Sequence, residues 1–202
     1  MLAALILAGG GVAASLLLRD GTPGTADLAT GPTTPVAVET SAGPPAPVAP
    51  VDVATEQAGA LDRLLDASVV SRGKLGSAIS RVEGCSGLAG AIDDLGVVGD
   101  ERRSQLQQLA VLDLSALADG ERLRATLARA LQQSLYADES FVSWARYVAN
   151  SGCPGGSAPH NPAYADGQAY STAAGTAKNA FIALWNPVAI RFGLPARSRD
   201  TI

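Results

Sequence analysis

Few side chains in this sequence are able to do catalytic or metal chemistry. The single histidine, His160, lies in a segment rich in proline and glycine, 153–162, and the single methionine is Met1. A di-iron helical protein needs two Glu-x-x-His pairs, and haem held inside a helical bundle needs a histidine or methionine there. Such sites are excluded, and we expect no cofactor. Ser157 and Asp166 flank His160 without a nucleophile elbow, so we interpret His160 as a loop residue.

A carboxylate nearby in the chain offers one enzymatic alternative. The segment Asp138-Glu139-Ser140-Phe141 resembles the Glu-Ser-x-Phe turn of helical lytic transglycosylases, whose catalytic glutamate cuts cell-wall glycan. This resemblance implies that Glu139 is the catalytic acid of a glycan hydrolase. The Gly-Leu-Met-Gln-type segment that follows in that family is missing, and Glu139 lies in mid-helix, where a solvated acid is the usual occupant. We therefore favour a protein without catalytic activity.

The chain begins with an uncharged apolar run, 1–18, which ends at Arg19-Asp20. As a helix this run would span about 27 Å, just enough for a bilayer core. We expect a single-pass anchor in the cell membrane, with the rest of the chain outside the cytoplasm. The alternative is a cleaved signal peptide, with the small residues 12–14 before the cleavage point. Since orientation normally follows a positive cytoplasmic flank and no Lys or Arg precedes the run, we expect a true N-terminus further upstream.

Residues 19–52 are predicted to be a disordered tether. Seven of the chain's twelve prolines lie between residues 21 and 50, among Thr, Ala and Gly. Such a segment buries too little apolar surface to offset the entropy of ordering it. Its proline stretches favour extended polyproline II, which would hold the following domain, 53–193, away from the membrane. The last residues, 194–202, form a C-terminal tail that we expect to be frayed or peripheral.

The sequence after the tether repeats apolar residues at the helical spacing of three and four. Four helices are predicted, over 53–82, 87–112, 119–150 and 163–192. Gly84, Gly152 and Gly193 follow the first, third and fourth of them, as helix stops do. Helices of this length with short connections pack as antiparallel neighbours. The predicted fold is therefore all-α, an up-down-up-down four-helix bundle.

The two cysteines of the chain, Cys85 and Cys153, bear on that topology. The first lies between helices one and two, and the second follows helix three. In an up-down-up-down bundle, both connections lie at the end away from the tether. Together with an export signal, this placement predicts one disulfide between the two connections.

Charge and composition indicate the class of partner. The net charge is only −4, with both signs interspersed, so we expect no nucleic acid. We expect an interaction or structural module of the cell envelope, which binds another envelope protein or a cell-wall component. It would act through the outer face of the bundle or through the connection after helix three, 152–162. We favour this connection as the recognition loop, because stiff and polar residues are concentrated there and the disulfide would hold its base. The residues named for this loop are Pro154, His160, Asn161 and Tyr164.

Aromatic side chains at helical spacing offer a third function, a carrier of a small apolar ligand within the bundle. Trp144, Tyr147, Phe181 and Trp185 would line such a groove. Aromatic residues at this spacing more often belong to the core, so we favour the interpretation that they fill it.

Three local patterns resemble a group of uncharacterised exported proteins of actinobacteria. They are Leu61-Asp62-Arg63-Leu64-Leu65, Val82-Glu83-Gly84-Cys85 and the segment 109–117, which reads LAVLDLSAL. The similarity extends over roughly residues 54–190. It implies a membrane-anchored, exported helical protein and implies no activity.

Overall fold

The computed structural model of this protein describes residues 52–202. The expected membrane segment 1–18 and all of the tether except Asp52 lie outside the described residues. Residues 52–202 form four α-helices and contain no strand, so the all-α fold with four helices is confirmed. The helices are α1 (Val53–Glu83), α2 (Leu88–Val111), α3 (Gly120–Ser151) and α4 (Pro162–Arg191). Every helix end lies within one residue of its predicted position.

Most helix ends follow from local side-chain and glycine chemistry. The Oδ1 atom of Asp52 accepts a hydrogen bond from the main-chain N–H of Ala54 at 3.2 Å and caps the start of α1. Gly84 ends this helix, and Gly152, with φ 72°, ends α3. Gly193, with φ 68°, follows the end of α4. These are the glycine stops that the sequence predicts.

The end of α2 has no glycine, and a side chain from the next helix completes it. The main-chain oxygens of Leu109 and Leu112 accept hydrogen bonds from the guanidinium group of Arg124, near the start of α3. The last carbonyl groups of a helix have no partner within that helix. Arg124 supplies the missing donors, and it thereby fixes the start of α3 against the end of α2.

Apolar side chains form two clusters at different heights along the helices. The proximal cluster includes Leu61, Leu65, Leu109, Leu123, Leu127, Phe181 and Trp185. The disulfide-end cluster includes Val82, Leu95, Phe141, Trp144 and Val148. The proximal cluster joins the first halves of α1 and α3 to the last turns of α2 and α4, so consecutive helices run in opposite directions.

The helices bury one side and expose another, as amphipathic helices of a packed domain do. Between residues 52 and 202, none of them has an apolar stretch that would carry it across a bilayer.

Residues 194–202 pack against the surface of the helices, so this peripheral segment is anchored and is not frayed. The side chain of Ile202 is 1 % exposed and belongs to the proximal cluster. Arg197 pairs with Asp62 of α1 through a side chain that is only 8 % exposed. The segment bridges α1 and α4, which have almost no backbone contact with each other. Ion pairs, hydrogen bonds to its main chain and the apolar side chains of Leu194 and Ile202 hold it in place, and such contacts leave no periodic pattern in a sequence.

Candidate functional site

The disulfide joins the two connections at one end of the four-helix domain. Cys85, in the α1–α2 connection, and Cys153, just after α3, are bonded with their Cα atoms 6.3 Å apart. Cys85 has a left-handed backbone conformation with φ 52°, which turns the chain after the glycine that ends α1. The predicted disulfide is therefore confirmed. It holds the base of the α3–α4 connection, residues 152–161, which we call the distal loop.

The inner side of the distal loop is anchored on a buried tryptophan. The Nε1 atom of Trp144 donates a hydrogen bond to the main-chain oxygen of Pro159 at 3.0 Å. The main-chain N–H of Ala158 donates to the main-chain oxygen of Glu83 at 3.4 Å, and the Ala158 side chain is buried in the disulfide-end cluster. The loop is therefore held at its base and again near its end, and the backbone next to His160 has little freedom left to lose on binding.

His160, Asn161 and Tyr164 form one group with Glu83, which we call the His160 group. The Oδ1 atom of Asn161 accepts from the main-chain N–H of Tyr164 at 3.1 Å and caps α4. The rings of His160 and Tyr164 stack with centroids 3.6 Å apart and planes 9° from parallel. The His160 Nε2 atom lies 3.3 Å from both carboxylate oxygens of Glu83. Burial raises the pKa of the Tyr164 phenol, and the charge of Glu83 raises it further.

The structure thus brings together three of the four residues predicted for the distal loop. Pro154 lies earlier in the loop, at the start of the exposed 3₁₀ turn Pro154–Gly156. Sequence reasoning misses Glu83, whose carboxylate completes the group. The available signal was its position as the last residue of α1, beside a glycine stop at the disulfide end. The group offers an imidazole, a phenol and a carboxylate, which can donate and accept hydrogen bonds to a polar partner.

A second polar group, the buried layer, lies between the two apolar clusters. Arg102 of α2, Asp138 of α3 and Lys178 of α4 are 1 %, 0 % and 7 % exposed. The Arg102 Nε atom lies 3.6 Å from Asp138 Oδ2, and Arg102 Nη1 donates to the side chains of Ser68 and Gln105. Neither carboxylate oxygen of Asp138 accepts a hydrogen bond from the described residues. An ionised carboxylate in this position is therefore costly.

Burial sets the pKa values in this layer. It raises the pKa of Asp138 to about 7, although the positive charges of Arg102 and Lys178 oppose the shift. It lowers the pKa of Lys178 to about 7, and repulsion from Arg102 and Arg72 adds to the effect. Burial also lowers the pKa of Arg102. The layer can therefore take up or release protons near neutral pH.

Sequence reasoning selects Glu139 and misses its neighbour Asp138. Glu139 lies on the exposed side of α3, where its carboxylate is 2.7 Å from the Nη2 atom of Arg103. Asp138 follows Leu131 by seven residues and precedes Phe141 by three, and both of those side chains are buried. The helical period could have placed Asp138 on the same inward face.

The aromatic residues considered as the lining of a ligand groove occupy different environments. Trp144, Phe181 and Trp185 are fully buried members of the two apolar clusters, whereas Tyr147 is exposed. A surface groove of about 400 Å³ does lie between α3 and α4, and small side chains such as Ala173 and Ala177 line one wall of it.

The described residues offer no metal centre. Between residues 52 and 202, no group of three or more His, Cys, Asp or Glu side chains is placed to hold a metal ion.

Comparison with known proteins identifies no relative. No protein-family model matches the chain, and neither the curated proteins nor the solved structures contain a significant match to it. The function is therefore argued from the geometry of the chain's own residues.

Proposed function

We propose that this protein is a non-catalytic interaction module of the cell envelope. Residues 1–18 anchor it in the membrane as a single pass, residues 19–52 hold it off the surface, and the helical domain lies outside the cytoplasm. The Cys85–Cys153 disulfide supports this location, because disulfides persist in oxidising compartments and are rare in the cytosol. The partner is another envelope protein or a cell-wall component.

The observation that carries the proposal is the rigid distal loop and the His160 group beside it. The disulfide holds the base of the loop, and the Trp144 indole holds its inner side. The His160 and Glu83 side chains remain 50 % and 38 % exposed. This surface lies at the end of the domain opposite the start of α1. Binding to such a prearranged surface loses little conformational entropy, and loops on rigid scaffolds commonly carry binding residues.

Chemical cross-linking of the full chain in intact cells, read by electrophoresis, tests the distal loop. His160→Ala removes the ring that faces Glu83 and leaves Asn161 in place to cap α4. We expect the amount of cross-linked adduct to fall severalfold. Val111→Ser is the matched control at the opposite end, where the side chain is 85 % exposed. This control should leave the adduct unchanged.

Circular dichroism and electrophoresis without reductant establish that both variants keep their helices and their disulfide. An adduct that survives His160→Ala at wild-type level would contradict the proposal. A loss that is equal in both variants would contradict it too, since the contact would then not be confined to the distal loop.

A further inference from the structure

Residues 195–202, which we call the tail, lie in a groove between α1 and α4. These two helices have almost no backbone contact with each other, and both contact the 3₁₀ turn Arg199–Thr201 within the tail. Phe192, Gly193, with φ 68°, and Leu194 separate the tail from α4. The tail therefore enters the groove as a separate, largely non-helical segment.

Side chains of the groove bind the main chain of the tail. Asn186 of α4 contacts both main-chain polar groups of Arg197. Its Nδ2 atom donates to the carbonyl oxygen at 3.0 Å, and its Oδ1 atom accepts from the N–H at 2.8 Å. Arg72 of α1 donates to the main-chain oxygen of Arg199 at 2.9 Å. Contacts of this kind provide affinity for a peptide backbone independently of its side chains.

Charged side chains fix the register of the tail along the groove. The Arg197 side chain lies between two carboxylates of α1, with Nε 3.0 Å from Asp62 Oδ1 and Nη2 2.7 Å from Asp66 Oδ1. Three positions later, Asp200 Oδ1 is 2.6 Å from Arg72 Nη2. In this register, Arg197 faces carboxylates and Asp200 faces a guanidinium group. A register shifted by three positions would place like charges together.

The last contact of the tail is an apolar anchor. The Ile202 side chain is 1 % exposed and packs into the proximal cluster. Its main-chain oxygen accepts a hydrogen bond from Lys178 Nζ at 2.7 Å. A desolvated aliphatic side chain with its main chain bound is how short peptides are commonly anchored in a groove.

We propose that the groove between α1 and α4 is a peptide-binding site, which the tail occupies until a partner displaces it. The ligand is a short segment of a partner protein with an arginine, an acid three positions later and a branched aliphatic residue two positions after the acid. The tail competes from within the same chain, where its effective concentration is on the order of millimolar. This site is distinct from the His160 group, and its test does not depend on the proposed function.

The test uses the full chain and a fluorescent synthetic peptide with the sequence of residues 195–202, amidated at its end, with anisotropy as the readout. Arg197→Ala in the protein removes the hold of the tail on Asp62 and Asp66 and leaves the groove unchanged. The apparent dissociation constant equals the intrinsic constant divided by the fraction of open groove, so this variant should bind the peptide at least about tenfold more tightly than the wild type.

Two controls define the specificity of that binding. A peptide with alanine in place of the arginine should bind the Arg197→Ala protein at least about tenfold more weakly than the unchanged peptide, because it leaves the buried Asp62 carboxylate unpaired and loses the ion pair with the exposed Asp66. Adding Asp62→Ala to the Arg197→Ala protein should weaken its binding of the unchanged peptide by a similar factor. The proposal is overturned if the folded Arg197→Ala protein binds no better than the wild type, or if the two peptides bind equally.

A milder variant covers the case in which Arg197→Ala does not fold. Asp200→Ala removes the exposed pair with Arg72 and keeps the buried pair of Arg197 with Asp62. The Asp200→Ala protein should bind the unchanged peptide more tightly than the wild type does. The gain in affinity should be smaller than the gain of a protein whose tail is fully released. Should Arg197→Ala fail to fold, the absence of any gain in Asp200→Ala would overturn the proposal.

Discussion

Asp138 and Lys178 make the stability of this domain depend on pH around neutrality. The folded-state pKa of Asp138, about 7, is above its ordinary value of 3.8. The contribution of Asp138 to the free energy of unfolding is therefore fully present below pH 3.8 and is lost as pH rises through 7. The folded-state pKa of Lys178, about 7, is below its ordinary value of 10.5. Its stabilisation is present above 10.5 and is lost as pH falls through 7. The two residues together contribute least to the stability of the folded domain near pH 7.

Asp138→Asn separates the first of these contributions from the second. The amide keeps the size of the side chain and removes the charge, so the variant does not lose stability when Asp138 would ionise. Between about pH 5 and pH 8, its free energy of unfolding should rise relative to the wild type by roughly 1–3 kcal/mol. Urea denaturation followed by circular dichroism at several pH values measures this difference.

The adjacent residue provides the control. Glu139 is exposed and pairs with Arg103, so Glu139→Gln removes a charge from the same helix and leaves Asp138 buried, and the Glu139 charge raises the pKa of Asp138 less than burial does. Exposed ion pairs contribute about 0–1 kcal/mol, and the difference between Glu139→Gln and wild type should stay nearly constant over this pH range. Parallel pH profiles for the wild type and Asp138→Asn would show that Asp138 does not titrate as its burial requires.

At the scale of the helices, the close packing of α3 on α4 depends on a glycine. A Cβ atom at Gly167 of α4 would lie 2.7 Å from Cε1 of Phe141, a ring that is itself buried in the disulfide-end cluster. Gly167→Ala should therefore lower the free energy of unfolding by roughly 1–3 kcal/mol, because the core must shift to admit one methyl group. Thermal and urea denaturation at fixed pH measure the change.

Gly76→Ala is the matched substitution within α1. Apart from the backbone of the helix itself, no atom lies within 4 Å of the Cβ position there, so the added methyl group meets open space. Alanine should raise stability by roughly 0.5–1 kcal/mol, because it loses less backbone entropy than glycine in a helix. If both substitutions change stability in the same direction, the close approach of α4 to Phe141 is not what constrains Gly167.

The helices could be predicted from the sequence, and their polar contacts could not. Apolar residues at helical spacing and glycine stops depend on residues close together in the chain, so they are readable one helix at a time. The capping of α2 by Arg124, in contrast, joins residues of two helices. The same holds for Asp138, whose environment depends on three helices, and for Arg197, whose partner Asp62 is 135 positions away. Only their three-dimensional arrangement gives those side chains their roles.

The disulfide could be predicted because two independent constraints pointed to it. Antiparallel topology places Cys85 and Cys153 at one end, and the apolar N-terminal run indicates an oxidising compartment. The bond closes a loop with a sequence separation of 68, which contributes about 4 kcal/mol by the chain-entropy estimate. The Glu83 carboxylate beside His160 was not predictable in this way, because it depends on how the distal loop folds back over the end of α1.

For the molecule as a whole, two long-range connections hold the helices together, each at a different position along the domain. The disulfide joins the connections at one end, and the tail joins α1 to α4 along the side where those helices are apart. The disulfide thereby fixes the end of the domain that carries the His160 group. This rigidity suits the proposed role, in which the domain is displayed on a tether and binds a partner outside the cell.

Proteolysis of intact cells that produce the full chain tests this location most directly. Proteinase K should cut within the tether 19–52 and release a fragment that contains the helical domain and changes its electrophoretic mobility on reduction. Val111→Ser, which changes an exposed side chain of the helical domain, should give the same fragment. A chain that is cut only after the cells are broken, and whose cysteines are alkylated without prior reduction, would contradict the proposed extracytoplasmic domain.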